Sequence, residues 1–123
     1  MAQPLLLTYN LSPDTAAAVK RLCDGLQIRC RAVSPGEFAL PVGALAGIPV
    51  AKPPSAPPAR IFGEAMLVIC FMLSDQLDAL LAALRQAGVV IPLKAVLTPT
   101  NVAWSSARLR DELAREHEQM KRR

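Results

Sequence analysis

One histidine, three cysteines and ten carboxylates make up most of the reactive inventory of this chain, and their spacing decides which chemistries stay open. On a helix, His117 has Leu113, Ala114, Met120 and Lys121 three and four positions away; none is a useful metal ligand, so a helical metal site is excluded. Cys–His catalysis would require His117, near the C-terminus, to reach Cys23, Cys30 or Cys70, which read as buried small hydrophobes. Neither G-x-x-x-x-G-K-[ST] nor G-x-G-x-x-G occurs, so no glycine loop is built to cradle phosphate. The densest polar set is Lys94, Thr98, Thr100, Asn101 and Trp104, where a short strand runs into a helix start whose free N–H groups and dipole favour negative charge. There Lys94 and Asn101 would bind a small anionic ligand. The plainer alternative is that Thr100 or Asn101 caps the helix and Trp104 packs its indole on the core. An enzyme built on Lys94, Thr98 and Asn101 would need burial or a neighbour to tune the lysine. The residues assign no catalytic group, no metal ligand and no cofactor.

The elements that must position these side chains follow from local pattern. Leu5 to Tyr9 is an apolar run, and Ser12-Pro13 opens a helix whose Ala18, Val19, Leu22, Cys23 and Leu26 share one face, with Gly25 marking its end. Ile28 to Val33 alternates, with arginines on the wet side, as in an edge strand. Seven of the eleven prolines fall in a long connection over 34–63. Within it Phe38 to Ile48 packs as a helical turn, while 51–60 is expected to be extended and mobile. Ala65 to Met72 is apolar throughout and reads as a central strand. Ser74 caps a helix carrying Leu77, Leu80, Leu81 and Leu84, and Gly88 closes it. Leu93 to Leu97 is a charged edge strand, and 101–123 forms a last helix with a thin stripe of Leu109, Leu113 and Met120.

The predicted order β-α-β-β-α-β-α gives an α+β fold: ferredoxin-like split βαβ units, a four-stranded antiparallel sheet, helices mainly on one face and an extra C-terminal helix. Strands one and three are central because they carry no charge; two and four are edges. The second sheet face must then be covered by Phe38 to Ile48, by the last helix or by another subunit. Phe38, Leu40, Val42, Leu45, Ile48, Leu109, Leu113 and His117 are therefore the expected partner interface.

Bulk properties narrow the function. A chain of 123 residues, 52% hydrophobic and with net charge +4, suits one folded domain over 1–123. Its longest strongly apolar uncharged run, Ala65 to Leu73, is far short of the roughly 20 residues a spanning helix requires. With no secretory signal pattern and an unpaired set of cysteines, a cytoplasmic location is expected. Basic excess sits at both ends, but Lys121-Arg122-Arg123 is too short for a nucleic-acid patch. The central strands also lack the aromatics on which RNA-binding sheets stack bases, which leaves nucleic acid as a weak, purely electrostatic alternative. The leading expectation is a non-enzymatic domain acting as a homo-oligomer or through a protein partner, with a small anionic regulatory ligand as an addition and no membrane contact.

Finally, Leu93-Lys-Ala-Val-Leu-Thr-Pro-Thr-Asn-x-x-Trp104, followed by Leu109-x-x-Glu112-Leu113-x-x-Glu116-His117, resembles a family of small bacterial proteins built on a domain of unknown function. The resemblance runs back through Gln76-Leu-Asp-Ala-Leu-Leu, Glu64-Ala-Met-Leu-Val and the Gly43 to Gly47 segment. The family's pattern places a basic residue after the asparagine, where this chain has Val102, which weakens an anion-binding role for the turn. The resemblance implies no established activity.

Overall fold

The computed structural model describes residues 3–48 and 62–121, with the side chains of Met120 and Lys121 left aside; the expectations for 51–60, for Met120 in the last stripe and for the terminal basic run lie outside the described side chains. Chain order is β1 (Leu5–Tyr9), α1 (Pro13–Gly25), β2 (Arg29–Val33), a 3₁₀ turn (Pro35–Glu37), α2 (Val42–Leu45), β3 (Met66–Cys70), α3 (Ser74–Gln86), β4 (Leu93–Val96) and α4 (Ser106–Lys121). The fold is α+β with one four-stranded sheet ordered β2-β1-β3-β4. As the apolarity ranking predicts, β1 and β3 are central. Both are buried on both faces along their whole length.

The all-antiparallel sheet is overturned. β1 pairs with β2 in parallel, β3 pairs with β4 in parallel, and only β1 and β3 run antiparallel, with Leu7 opposite Val68. The direction of every strand is the one a ferredoxin-like sheet would give; the neighbours differ. In a split unit each crossover skips a strand, whereas here each edge strand returns beside the strand that precedes it. Charge and apolarity rank centre against edge, and both arrangements share the same centre, so sequence pattern could not separate them.

Helices cover both faces, two on each, rather than mainly one. Val19 and Cys23 of α1 and Leu80 and Leu84 of α3 pack on Leu6, Leu67 and Ile69. On the other face α2 and α4 bring Val42, Leu45, Ala107 and Leu109 against Leu5, Leu7, Met66 and Val68, with Tyr9, Phe38 and Phe62 clustered beside them. Alternate residues of each central strand supply the two cores, as the period of two requires.

The two halves repeat. β1–α1 recurs as β3–α3, every boundary displaced by 61 residues (66 − 5), and the axis relating them passes through the Leu7–Val68 pair. The detail is close: Asn10 (φ 58°) corresponds to Phe71 (φ 60°), and Gln27 (φ 60°) to Gly88 (φ 71°). Both helices close with the same bond, Ile28 N–H to Cys23 O at 2.8 Å and Val89 N–H to Leu84 O at 2.9 Å. Thus α1 is terminated by Gln27 in the left-handed region, two residues beyond the Gly25 that sequence favoured.

Candidate functional site

Asn101 is the best-defined polar residue of the expected cluster, and it is structural in geometry. Its Oδ1 accepts the Thr98 N–H at 2.9 Å, its Nδ2 donates to Val96 O at 3.0 Å, and its own N–H donates to Thr98 Oγ1 at 3.2 Å. At 7% exposure it folds the 98–101 turn back onto the end of β4. It does not cap the last helix. That role falls to Ser105, whose Oγ accepts the Arg108 N–H at 3.2 Å, so the helix expected from residue 101 begins at Ser106. The intervening loop is used instead as a cap for α2: Val42 N–H donates to Trp104 O and Gly43 N–H to Val102 O, each at 2.8 Å.

Lys94 belongs elsewhere. Its ammonium donates to Ile91 O at 2.7 Å, in a small hollow against α3 that Leu81, Leu84 and Arg85 also border. Lys94 and Asn101 are therefore committed to different backbone groups and do not converge on one anion. Thr98 and Thr100 are exposed. Trp104 is half-buried against the α4-side core, with the Arg108 guanidinium 4.3 Å from its ring centroid.

The expected interface residues divide. Phe38, Val42, Leu45 and Leu109 are buried inside this chain's own core, so they offer nothing to a partner. Of the three covers expected for the second sheet face, the Phe38 to Ile48 segment, through α2, and the last helix, α4, are the ones found on it. Leu40 and Leu113 are half-buried against that core, and His117 is exposed on α4. Ile48 borders something different: a hollow of about 520 Å³ at the carboxyl ends of β3 and β4.

That hollow is the feature sequence reasoning missed. Phe71, Met72 and Leu73 form one wall, and Val96, Leu97 and Val102 the other; among the described residues no charged side chain lines it. Leu73 is 75% exposed and Val96 45% exposed at its rim. The internal repeat shows what these positions would hold if only local stability mattered. In the first half Asn10 occupies the left-handed position, donating to Phe62 O at 2.8 Å and Glu64 O at 3.0 Å, and Ser12 caps α1 by accepting the Thr15 N–H at 3.3 Å. In the second half the left-handed residue is Phe71 and the cap position of α3 is Leu73, with only Gln76 Oε1 closing the helix start through the Leu73 N–H. Ser74, expected as the cap, is the first helical residue. A bulky residue in the left-handed region costs about 1–2 kcal/mol, and an apolar N-cap costs about 1 kcal/mol relative to serine. The signal in the sequence was the run Phe71-Met72-Leu73, which stays apolar past the strand end where Asn10-Leu11-Ser12 turns polar.

Among the described residues no helix is long and apolar enough to cross a membrane, and no three His, Cys, Asp or Glu side chains gather to hold a metal. No curated protein and no solved structure matches the chain. Residues 65–120 match the family model described as Domain of unknown function (DUF3783), a stretch that takes in β3, α3, β4 and nearly all of α4 and supplies most of the hollow's lining.

Proposed function

We propose that the protein is a non-enzymatic binding module that takes an extended segment of a polypeptide partner along the outer edge of β4, with one apolar side chain of that segment seated in the adjoining hollow. The observation that carries this reading is the concentration of two locally unfavourable residues, Phe71 and Leu73, at the wall of that hollow, where the other half of the molecule has Asn10 and Ser12. Phe71 also packs on the α4-side core, so Leu73, 75% exposed, is the one of the two whose local cost no packing among the described residues offsets, and it is this departure from local rules that supports a site kept for contact. Among the described residues β3 is the one strand neighbour of β4, so its outer edge leaves backbone groups for an added strand ahead of the Val96 carbonyl and the Thr98 N–H, which Asn101 bonds. The lining given by the described residues is uncharged and favours an apolar anchor. The enzyme alternative loses its cluster, because Lys94 and Asn101 serve separate backbone groups.

Selection of random peptides on the full chain, followed by titration against Val96→Glu, tests the reading. The expected peptides carry an apolar anchor and lose at least about tenfold in affinity on the variant, since a carboxylate in an apolar hollow costs more than 1.4 kcal/mol. Peptides that bind both proteins alike contradict it. Self-association of the chain that Val96→Glu abolishes would identify the partner as a second copy.

A further inference from the structure

The two halves of the molecule differ in the connection from helix to edge strand. Leu26 to Ile28 join α1 to β2, whereas Ala87 to Pro92 join α3 to β4, three residues more. The strands keep their register, with Lys94 opposite Leu67 as Cys30 is opposite Leu6. Beside the longer connection lies the small hollow against α3, of about 230 Å³. Leu81, Leu84, Val89 and Ile91 give it an apolar wall, and Arg85 and Lys94 are its charged side chains; among the described residues no carboxylate lines it. It shares no lining residue with the hollow beside Leu73.

Both cations have donors to spare. Lys94 Nζ gives one of its three to Ile91 O at 2.7 Å, which holds the ammonium at the hollow and leaves two. Arg85, in the last turn of α3, has no hydrogen-bond or ion-pair partner for its guanidinium among the described residues. The end of α3 does not need it as a cap, because Ala83 O, Leu84 O and Arg85 O already accept the Ala87, Val89 and Gly88 N–H groups. In the first half the matching positions hold Asp24 and Cys30, and the paired positive charge is absent. Two cations beside an apolar wall complement a molecule with one anionic and one apolar end, and the guanidinium fork matches a carboxylate. At about 30 Å³ for each non-hydrogen atom, the hollow has room for about eight.

We propose that this hollow binds a small monocarboxylic acid with a short apolar chain or ring, its carboxylate between Arg85 and Lys94 and its chain on Leu81, Leu84 and Ile91. The test is a ¹⁵N chemical-shift titration of the full chain with hexanoate, a chain of that size, alongside acetate, hexanol and inorganic phosphate at constant ionic strength. Saturable shifts are expected over 81–85 and 89–94, with half-saturation at about 1 mM, an affinity within reach of so small a ligand. Acetate lacks the chain, hexanol the charge and phosphate the apolar end, so each is expected to bind about tenfold more weakly or worse. Arg85→Gln and Lys94→Met, both at exposed positions, are each expected to weaken hexanoate about fivefold or more. No saturation at about ten times the expected concentration, hexanol, acetate or phosphate binding as tightly as hexanoate, shifts centred on 71–73, or binding undiminished by one or both substitutions overturns the proposal.

Discussion

Replacing Leu73 by serine sets stability against binding. In the first half of the molecule the same position is Ser12, whose hydroxyl satisfies the Thr15 N–H; a serine at 73 would cap α3 in the same way. An N-cap serine is worth about 1 kcal/mol over an apolar residue. The loss is smaller, because Leu73 is 75% exposed and only about a quarter of the roughly 2 kcal/mol of a fully buried leucine is withdrawn. The expected net change is a stabilisation of about 0.5 kcal/mol, read as a higher urea midpoint at unchanged slope. Binding moves the other way. The three quarters of the side chain still open to water is what a partner would cover, worth about 1.5 kcal/mol and so about tenfold in affinity for a selected peptide. A variant that is less stable than the parent, or that binds the peptide equally well, would refute the argument that Leu73 is retained for contact rather than for the fold.

Further predictions concern the scaffold. Asn101→Ala leaves the Thr98 N–H and the Val96 carbonyl without their partners, and chemical denaturation is expected to show a loss of about 2 kcal/mol; a change under 0.5 kcal/mol would show that the turn holds itself. Tyr9, fully buried and bonded to Ser106 at 2.8 Å, has its hydroxyl pushed up to about 12, chiefly by burial. A folded-state value above the unfolded 10 means this contribution is intact below pH 10 and is lost as pH rises towards 12, to a limit of about 3 kcal/mol. Tyr9→Phe should flatten that alkaline decline when stability is followed against pH; parallel curves would contradict the assignment.

Much of the fold was legible because burial writes itself into pattern. The uninterrupted apolarity of Leu5 to Tyr9 and of Ala65 to Met72 placed both central strands, and the spacing of Leu77, Leu80, Leu81 and Leu84 placed α3, whose Leu80 and Leu84 are its buried residues. Neighbour choice was not legible, since a crossover that skips a strand and one that does not leave the same residues in the centre. The Lys94 to Trp104 string drew notice as a site because strand ends and turns carry exposed polar groups. What its polar side chains do there is satisfy backbone: Asn101 through the Thr98 N–H and Val96 O, Lys94 through Ile91 O. The hollow escaped because each lining residue, taken alone, is an ordinary apolar residue. Its meaning comes from the comparison of Phe71 and Leu73 with Asn10 and Ser12, and that comparison needs the repeat, which low identity between the halves conceals.

The measurement that bears most directly on the binding account is a ¹⁵N chemical-shift titration of the full chain with a selected apolar peptide. Shifts confined to 71–73 and 94–98, with intermolecular contacts between the peptide backbone and the outer edge of β4, are what the account predicts. Shifts centred on the β2 edge or on the exposed face of α4, with the Phe71 to Leu73 amides unmoved, would contradict it.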